Sequence, residues 1–126
     1  MIDCGAPDRI FIEGLQVEVL VGVYAHERDA VQPLLLDIEL AYDNRRAAES
    51  DDVADTIDYA AVCAEVRVFV AQCQPQLLET VAEALAAHLL LTFDTAAVRL
   101  RIRKPKAAEA LGAASVGVEI FRSRGA

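Results

Sequence analysis

A chain of 126 residues, 55% apolar and 25% charged and free of low-complexity tracts, is long enough for one self-standing core and globular in composition. Its formal charge of −8, from 20 acidic against 12 basic residues, argues against nucleic acid as the main partner, because phosphate binding needs a basic stripe. No apolar run approaches the roughly 20 residues of a membrane span, and Asp3 stands where a signal peptide would be basic, so a cytoplasmic location is expected.

Residues 1–8 read as a loose leader and residues 9–123 as a single domain. From Arg9 to about Val23 the pattern alternates and is β-branched, which predicts a long strand with a bulge or kink at Gly14. Tyr24 to Pro33 is polar and reads as a loop. In the next strand, Leu34 to Tyr42, the residues Leu34, Leu36, Ile38, Leu40 and Tyr42 share one face while Asp37 and Glu39 share the other. Asp43 to Asp58 is a long polar connection, and Asp58 is placed to cap a helix from Tyr59 to about Cys73. Pro75 breaks the chain before a second helix, Gln76 to Leu91, whose Leu78, Val81, Ala82, Leu85 and Leu89 follow helical spacing. A third strand spans Ala97 to Lys104. A Gly/Ala-rich loop precedes a fourth, from Ser115 to Arg122. The order β-β-α-α-β-β lacks the alternation of a parallel sheet, so the expected class is α+β: a four-stranded antiparallel sheet with two helices on one face. Arg99, Arg101, Arg103 and Glu119 then share the other face, which is either solvated or lines an oligomer interior with cross-strand ion pairs.

Four residues stand out chemically. Glu79 falls in the run Gln76-Leu77-Leu78-Glu79-Thr80-Val81-Ala82, close to the apolar register. A carboxylate near a core needs a partner, because an unpaired buried charge costs several kcal/mol. It is either favoured by the helix dipole or set at the floor of a pocket, where two oxygens accept two parallel N–H groups of a flat heterocycle. Lys104 shares strand parity with Val98, Leu100 and Ile102 and leaves the ladder just before Pro105. It is either a snorkelling lysine or an amine in a partly dry pocket suited to proton transfer. Tyr59, at the first helical position, either stacks on a flat ligand or packs on the sheet. Glu27 is a base or a solvated loop residue. Cys4, Cys63 and Cys73 show no CxxC spacing and read as free thiols, and His26 and His88 form no metal-binding pattern, so no metal site is expected.

Taken in order, Ile12-Glu13-Gly14-Leu15, Gly22-Val23-Tyr24-Ala25-His26-Glu27-Arg28, Gln32-Pro33-Leu34, Ser50-Asp51-Asp52-Val53-Ala54-Asp55-Thr56-Ile57-Asp58-Tyr59, Leu77-Leu78-Glu79-Thr80-Val81-Ala82-Glu83, Val98-Arg99-Leu100-Arg101-Ile102-Arg103-Lys104-Pro105 and Val116-Gly117-Val118-Glu119-Ile120 resemble the bacterial 7,8-dihydroneopterin aldolases of folate biosynthesis. The resemblance covers nearly all of the chain from Arg9 to Arg122. It implies the tunnelling fold (T-fold), with tetrameric rings stacked as a homo-octamer and active sites between neighbouring subunits. It implies that Glu79 anchors a pterin, aided by backbone at Leu78, and that Lys104 gives and takes protons. Glu27 and Tyr59 complete the catalytic set, and Ile57 joins the substrate-binding one. No cofactor is implied: the retro-aldol cleavage leaves a carbanion for which the dihydropterin's own ring imine serves as electron sink. Lys106-Ala107-Ala108-Glu109-Ala110 and Ala25-His26 depart from the family pattern and bear on the balance between aldol cleavage and epimerisation. The nearest alternative is an epimerase of dihydroneopterin triphosphate, with Arg28 or Lys106 supplying extra cations. A non-catalytic, oligomeric ligand-sensing module is the alternative from another class.

Overall fold

The alternation of the second strand organises the molecule: Leu34, Leu36, Ile38 and Leu40 are all fully buried. The computed structural model describes residues 8–125. It contains β1 (Arg9–Val19), β2 (Gln32–Ala41), α1 (Arg45–Ser50), α2 (Tyr59–Gln72), α3 (Leu78–Thr92), β3 (Ala97–Arg103), α4 (Pro105–Leu111) and β4 (Gly117–Ser123). The strands lie in the order β1-β2-β3-β4, every neighbouring pair antiparallel. α2 lies over β1, and α3 over β3 and β4. The inward face of the sheet meets Val62, Val66 and Val70 of α2 and Val81, Ala82, Leu85, Ala86 and Leu89 of α3 in one continuous core. This is the expected α+β architecture.

Local chemistry explains the boundaries. Between Ile12 and Leu15 the register moves three residues on β1 against two on β2, so the chain bulges there. Gly14, at φ +68°, supplies the left-handed residue that such a bulge requires, and its N–H donates to Asp37 Oδ1 at 2.8 Å. β1 ends at Val19, four residues earlier than the pattern suggests, because Val21 turns into the core and Gly22 takes φ +140°. Pro33 is tolerated inside β2 because the ladder with β3 begins only at Leu35. Asp58 caps α2 as expected, accepting the Ala60 N–H at 2.9 Å. The leader reading falls on residues outside the described range except for Asp8, which is tied to the fold: its carbonyl accepts the Tyr42 N–H at 3.2 Å and its carboxylate the Asn44 N–H at 3.1 Å.

Two segments read as loops are short helices. α1 buries nothing and is closed by Asp51 at φ 55°, so no apolar period betrays it. α4 carries Pro105 at its first position and Gly112 at φ 70° just past its end, an asymmetry typical of helices. Only Ala108 of α4 is buried, which is why hydrophobic spacing misses it.

On the outward face the charges pair within the chain. Arg9 meets Glu39 at 3.1 Å, Arg103 meets Asp37 at 2.8 Å, and Glu119 receives Arg99 at 3.0 Å and Arg101 at 3.5 Å. Gly117 begins β4 opposite Arg103, and a Cβ there would overlap the Ile102 carbonyl oxygen. Gly117→Ala should therefore destabilise the fold by about 1–3 kcal/mol through overpacking. A thermal-melt midpoint equal to that of the parent would contradict the closeness of this contact.

Candidate active site

Lys104 is the single residue between β3 and α4 and caps the start of α4. Its N–H donates to the Val116 carbonyl at 2.9 Å and its own carbonyl accepts the Ala108 N–H at 3.1 Å, so the backbone at this residue is held from both sides. Its ammonium lies 2.6 Å from Glu27 Oε2, and the two side chains are only 14% and 16% exposed. Glu27 rides on a 3-10 turn, Ala25–Arg28, where its N–H donates to the Tyr24 carbonyl at 2.9 Å and its second carboxylate oxygen accepts the Tyr24 N–H at 3.4 Å. Gly22 makes room for this carboxylate: a Cβ at residue 22 would overlap the Glu27 side chain. The Lys104 hydrogen bond, helped by the Tyr24 N–H and the lysine's charge, holds the Glu27 carboxyl below the usual glutamate range despite the opposing effect of burial. An ionised carboxylate and an ammonium, nearly out of water, thus face one another at one end of the sheet.

Arg28 follows immediately. Its guanidinium donates to the carbonyls of Gly22 at 3.3 Å, Pro75 at 2.7 Å and Gln74 at 3.2 Å. The Gly22 N–H reaches the same Pro75 carbonyl at 3.4 Å. Three of its five N–H donors are thus committed to backbone, which makes Arg28 a structural group here and less suited to the role of extra cation for a triphosphate. The contacts bring the turn before α3 against the loop that carries Glu27. Glu79 lies in the first turn of α3, but its side chain is exposed and has no ion pair among the described residues. The expectation that it sits against the core is therefore wrong for a single chain: Ala82 and Ala86, three and seven residues on, are buried, and Glu79 occupies the flank of that face. Leu78 packs partly against the core and Leu77 is half exposed.

Tyr59 and Ile57 are elsewhere. Tyr59 is 65% exposed at the start of α2, beside a cleft of about 570 Å³ lined by Ile10, Asn44, Val53, Thr56 and Ile57. Ile57 is 5% exposed and belongs to the core, which leaves mainly its backbone to meet a ligand. Ile10 pairs with Leu40, which pairs with Val98, whereas Lys104 follows the Arg103–Leu35 pair. Those two rungs are separated by roughly 17 Å at the usual rise of a strand. One chain thus brings Lys104 and Glu27 together, ties the Glu27 loop to the turn before α3, and holds Tyr59 and Ile57 at the far end of the sheet.

Other features carry less. A depression of about 480 Å³ on the outward sheet face contains none of these residues, and its Arg9, Glu39, Arg99 and Glu119 are already ion-paired. Among the described residues no group of three or more His, Cys, Asp or Glu is arranged to hold a metal ion, and no helix is long and apolar enough to cross a membrane. Cys63 and Cys73 are free, half-buried thiols, burial pushing that of Cys73 up; Cys4 lies outside the described residues. His88 pairs with Glu65 at 2.7 Å and stacks on Phe69, joining α3 to α2.

Sequence reasoning missed the parts played by Gly22 and Arg28. The glycine leaves a local trace, but the arginine's partners at residues 74 and 75 leave none. Because Glu27 has a lower pKa folded than unfolded, its contribution to stability is present above the ordinary value of 4.5 and is lost as pH falls through the folded pKa. The unfolding free energy of the parent minus that of Glu27→Gln, from denaturant titrations at several pH values, should shrink on acidification below 4.5. A difference independent of pH would contradict the ion pair.

A model of the family described as "FolB: Dihydroneopterin aldolase" matches residues 10–121. The dihydroneopterin aldolase of Escherichia coli K12 is 45% identical over 115 residues, which are 91% of this chain and 93% of that protein. The crystal structure of the E. coli enzyme in complex with neopterin superposes with a TM-score of 0.86 at 44% identity, covering 92% of this chain and 99% of the other. The dihydroneopterin aldolase of Burkholderia thailandensis bound to guanine superposes at 0.76 with 26% identity, covering 93% and 91%. With a family model spanning most of the described fold and relatives matched nearly end to end, the chain belongs to the dihydroneopterin aldolase family.

Proposed function

We propose that this chain cleaves 7,8-dihydroneopterin by a retro-aldol reaction to 6-hydroxymethyl-7,8-dihydropterin and glycolaldehyde, a step of tetrahydrofolate biosynthesis in the cytoplasm. The observation that carries the reading is the largely shielded Lys104–Glu27 pair, 2.6 Å long, at a strand end, with the Glu27 loop bonded to the turn that precedes the helix bearing Glu79. The Glu79 carboxylate, exposed in the single chain, accepts the parallel N–H groups of the amino-pyrimidinone edge, and the Leu78 backbone adds a further contact.

The bonds balance without an external electron acceptor. The hydroxyl on the second side-chain carbon loses its proton, and the bond between the first and second side-chain carbons breaks. Its electron pair moves into the ring imine to give an enamine, and glycolaldehyde leaves. A proton then returns to the first side-chain carbon and the imine re-forms. Lys104 handles these protons, and Glu27 keeps its ammonium oriented. Because the ring accepts the electrons, no metal or Schiff base is needed. Re-addition of the aldehyde to the opposite face gives epimerisation as a side activity.

Tyr59 and Ile57 reach this chemistry through a neighbour. Their separation from Lys104 along one sheet supports a homo-oligomer in which Tyr59 of one copy faces Lys104 of the next, in rings that stack as an octamer. Half-sites at opposite ends of one sheet are brought together by the symmetry of an assembly.

Purified protein incubated with dihydroneopterin should release hydroxymethyl-dihydropterin and glycolaldehyde with or without chelator, as separated by chromatography. Stereochemical inversion alone, or turnover confined to the triphosphate, would defeat the aldolase reading. Lys104→Ala should lower kcat by roughly 10²–10⁴ while leaving most pterin affinity. Glu79→Ala should weaken pterin binding by about 1.5–3 kcal/mol, measured by titration. The opposite division of effects would mean that the two roles are exchanged. Mixed oligomers of Lys104→Ala and Tyr59→Ala should regain roughly a quarter of the parent activity, since random pairing restores one intact site in four. Mixtures no more active than either variant would contradict a shared site.

A further inference from the structure

Arg28, like Arg124, gives its guanidinium to backbone carbonyls, whereas the arginines of the outward sheet face meet carboxylates. Its guanidinium has no carboxylate partner among the described residues and is given instead to three backbone carbonyls, at Gly22, Gln74 and Pro75. The Gln74 and Pro75 carbonyls lie 46 and 47 residues along the chain from Arg28, on a different segment from Gly22. Gly22 opens the loop that delivers Glu27 to Lys104, and Gln74 and Pro75 form the turn that ends at Leu77, the residue capping α3. Pro75 is the pivot: its carbonyl accepts both from Arg28 and from the Gly22 N–H.

A fork of fixed N–H directions meeting three carbonyls sets a distance and an orientation, which a flexible ammonium does not. The side chains of the turn offer little restraint, since Gln74, Gln76 and Leu77 are exposed. α2 and α3 anchor its two ends in the core, and its hydrogen bonds to the Glu27 loop are those of this guanidinium and one backbone bond of 3.4 Å. We propose that Arg28 is a positioning residue of the active site: by clamping the turn before α3 to the Glu27 loop, it sets where the Glu79 carboxylate stands relative to the Lys104–Glu27 pair. The inference rests on the aldolase reading for the roles of those three residues. The clamp itself rests only on the hydrogen bonds.

Placement matters here because the ring held at one end must offer its side chain to the amine at the other. A displacement of about 1 Å by a residue far from the chemistry costs on the order of 10²-fold in rate. Gly22 belongs to the same device, since it must accept both the Glu27 side chain and the Arg28 donor on its carbonyl.

The test compares the parent with Arg28→Ala and Arg28→Lys in the assembled protein. Arg28→Ala should lose on the order of 10²-fold in kcat/KM for dihydroneopterin. Arg28→Lys should recover little of it, and millimolar guanidinium chloride should restore much of it to Arg28→Ala while leaving the parent unchanged. Amide hydrogen exchange should accelerate at residues 22–27 and 74–79 in Arg28→Ala, with the sheet amides unaltered, and guanidinium should reverse that change. Full activity in Arg28→Ala, full recovery in Arg28→Lys, absence of guanidinium rescue, or exchange raised uniformly across the sheet would each overturn the proposal. If the parent itself turns over no dihydroneopterin, the functional reading fails, whereas the exchange pattern and its reversal still decide whether the clamp exists.

Discussion

An ammonium and a carboxylate that share most of their burial are favourable only when both are held in place, because each alone would carry a desolvation cost of several kcal/mol. The Lys104–Glu27 pair meets that condition with backbone constraints on both sides. Lys104 is fixed by its hydrogen bond to Val116 and by its place just before α4, whose Ala108 N–H its carbonyl accepts. Glu27 is fixed by the 3-10 turn and by the Tyr24 N–H. Gly22 leaves the space that the carboxylate occupies, and Gly117 lets β4 close on β3 one residue from the lysine. The pair therefore depends on two glycines that contribute no side chain of their own.

The sheet also decides how far apart the remaining groups stand. Its inward face is closed by α2 and α3, and its outward face carries cross-strand ion pairs, so the groups free to meet a ligand lie at the two ends. At one end the Lys104–Glu27 pair lies near the turn leading to Glu79. At the other lie Tyr59 and the backbone of Ile57. An exposed Glu79 and an exposed Tyr59 are what a chain would present if each formed one wall of a site completed by another copy. Exposure in the single chain and a role in ligand binding are thus compatible, whereas a carboxylate already satisfied in the core would have little left to offer a ring.

The legibility of these features follows from how far each interaction reaches along the chain. β2 was readable because five residues of strict alternation must all face one way. α2 and α3 were readable because their apolar residues recur at helical spacing, and Asp58 because a cap bonds two residues ahead. The bulge at Gly14 was visible for the same local reason. α1 and α4 escaped because neither has enough buried residues to show a period, although Pro105 and Gly112 mark the ends of the latter. The sequence leaves Glu79 open between a helix-start carboxylate and one at a pocket floor, because its position on the flank of a helical face is ambiguous by about one residue's rotation.

From residues alone came the α+β class, the identity of the core faces, the candidate lysine and acids, and the family resemblance. All of these depend on local periodicity or on ordered short motifs. Folding decided which acid meets the lysine, that Arg28 is bound to the turn before α3, and that Tyr59 stands at the opposite end of the sheet. Those facts join residues tens of positions apart, and side-chain type at one position carries no record of the partner that chain reversal will bring to it.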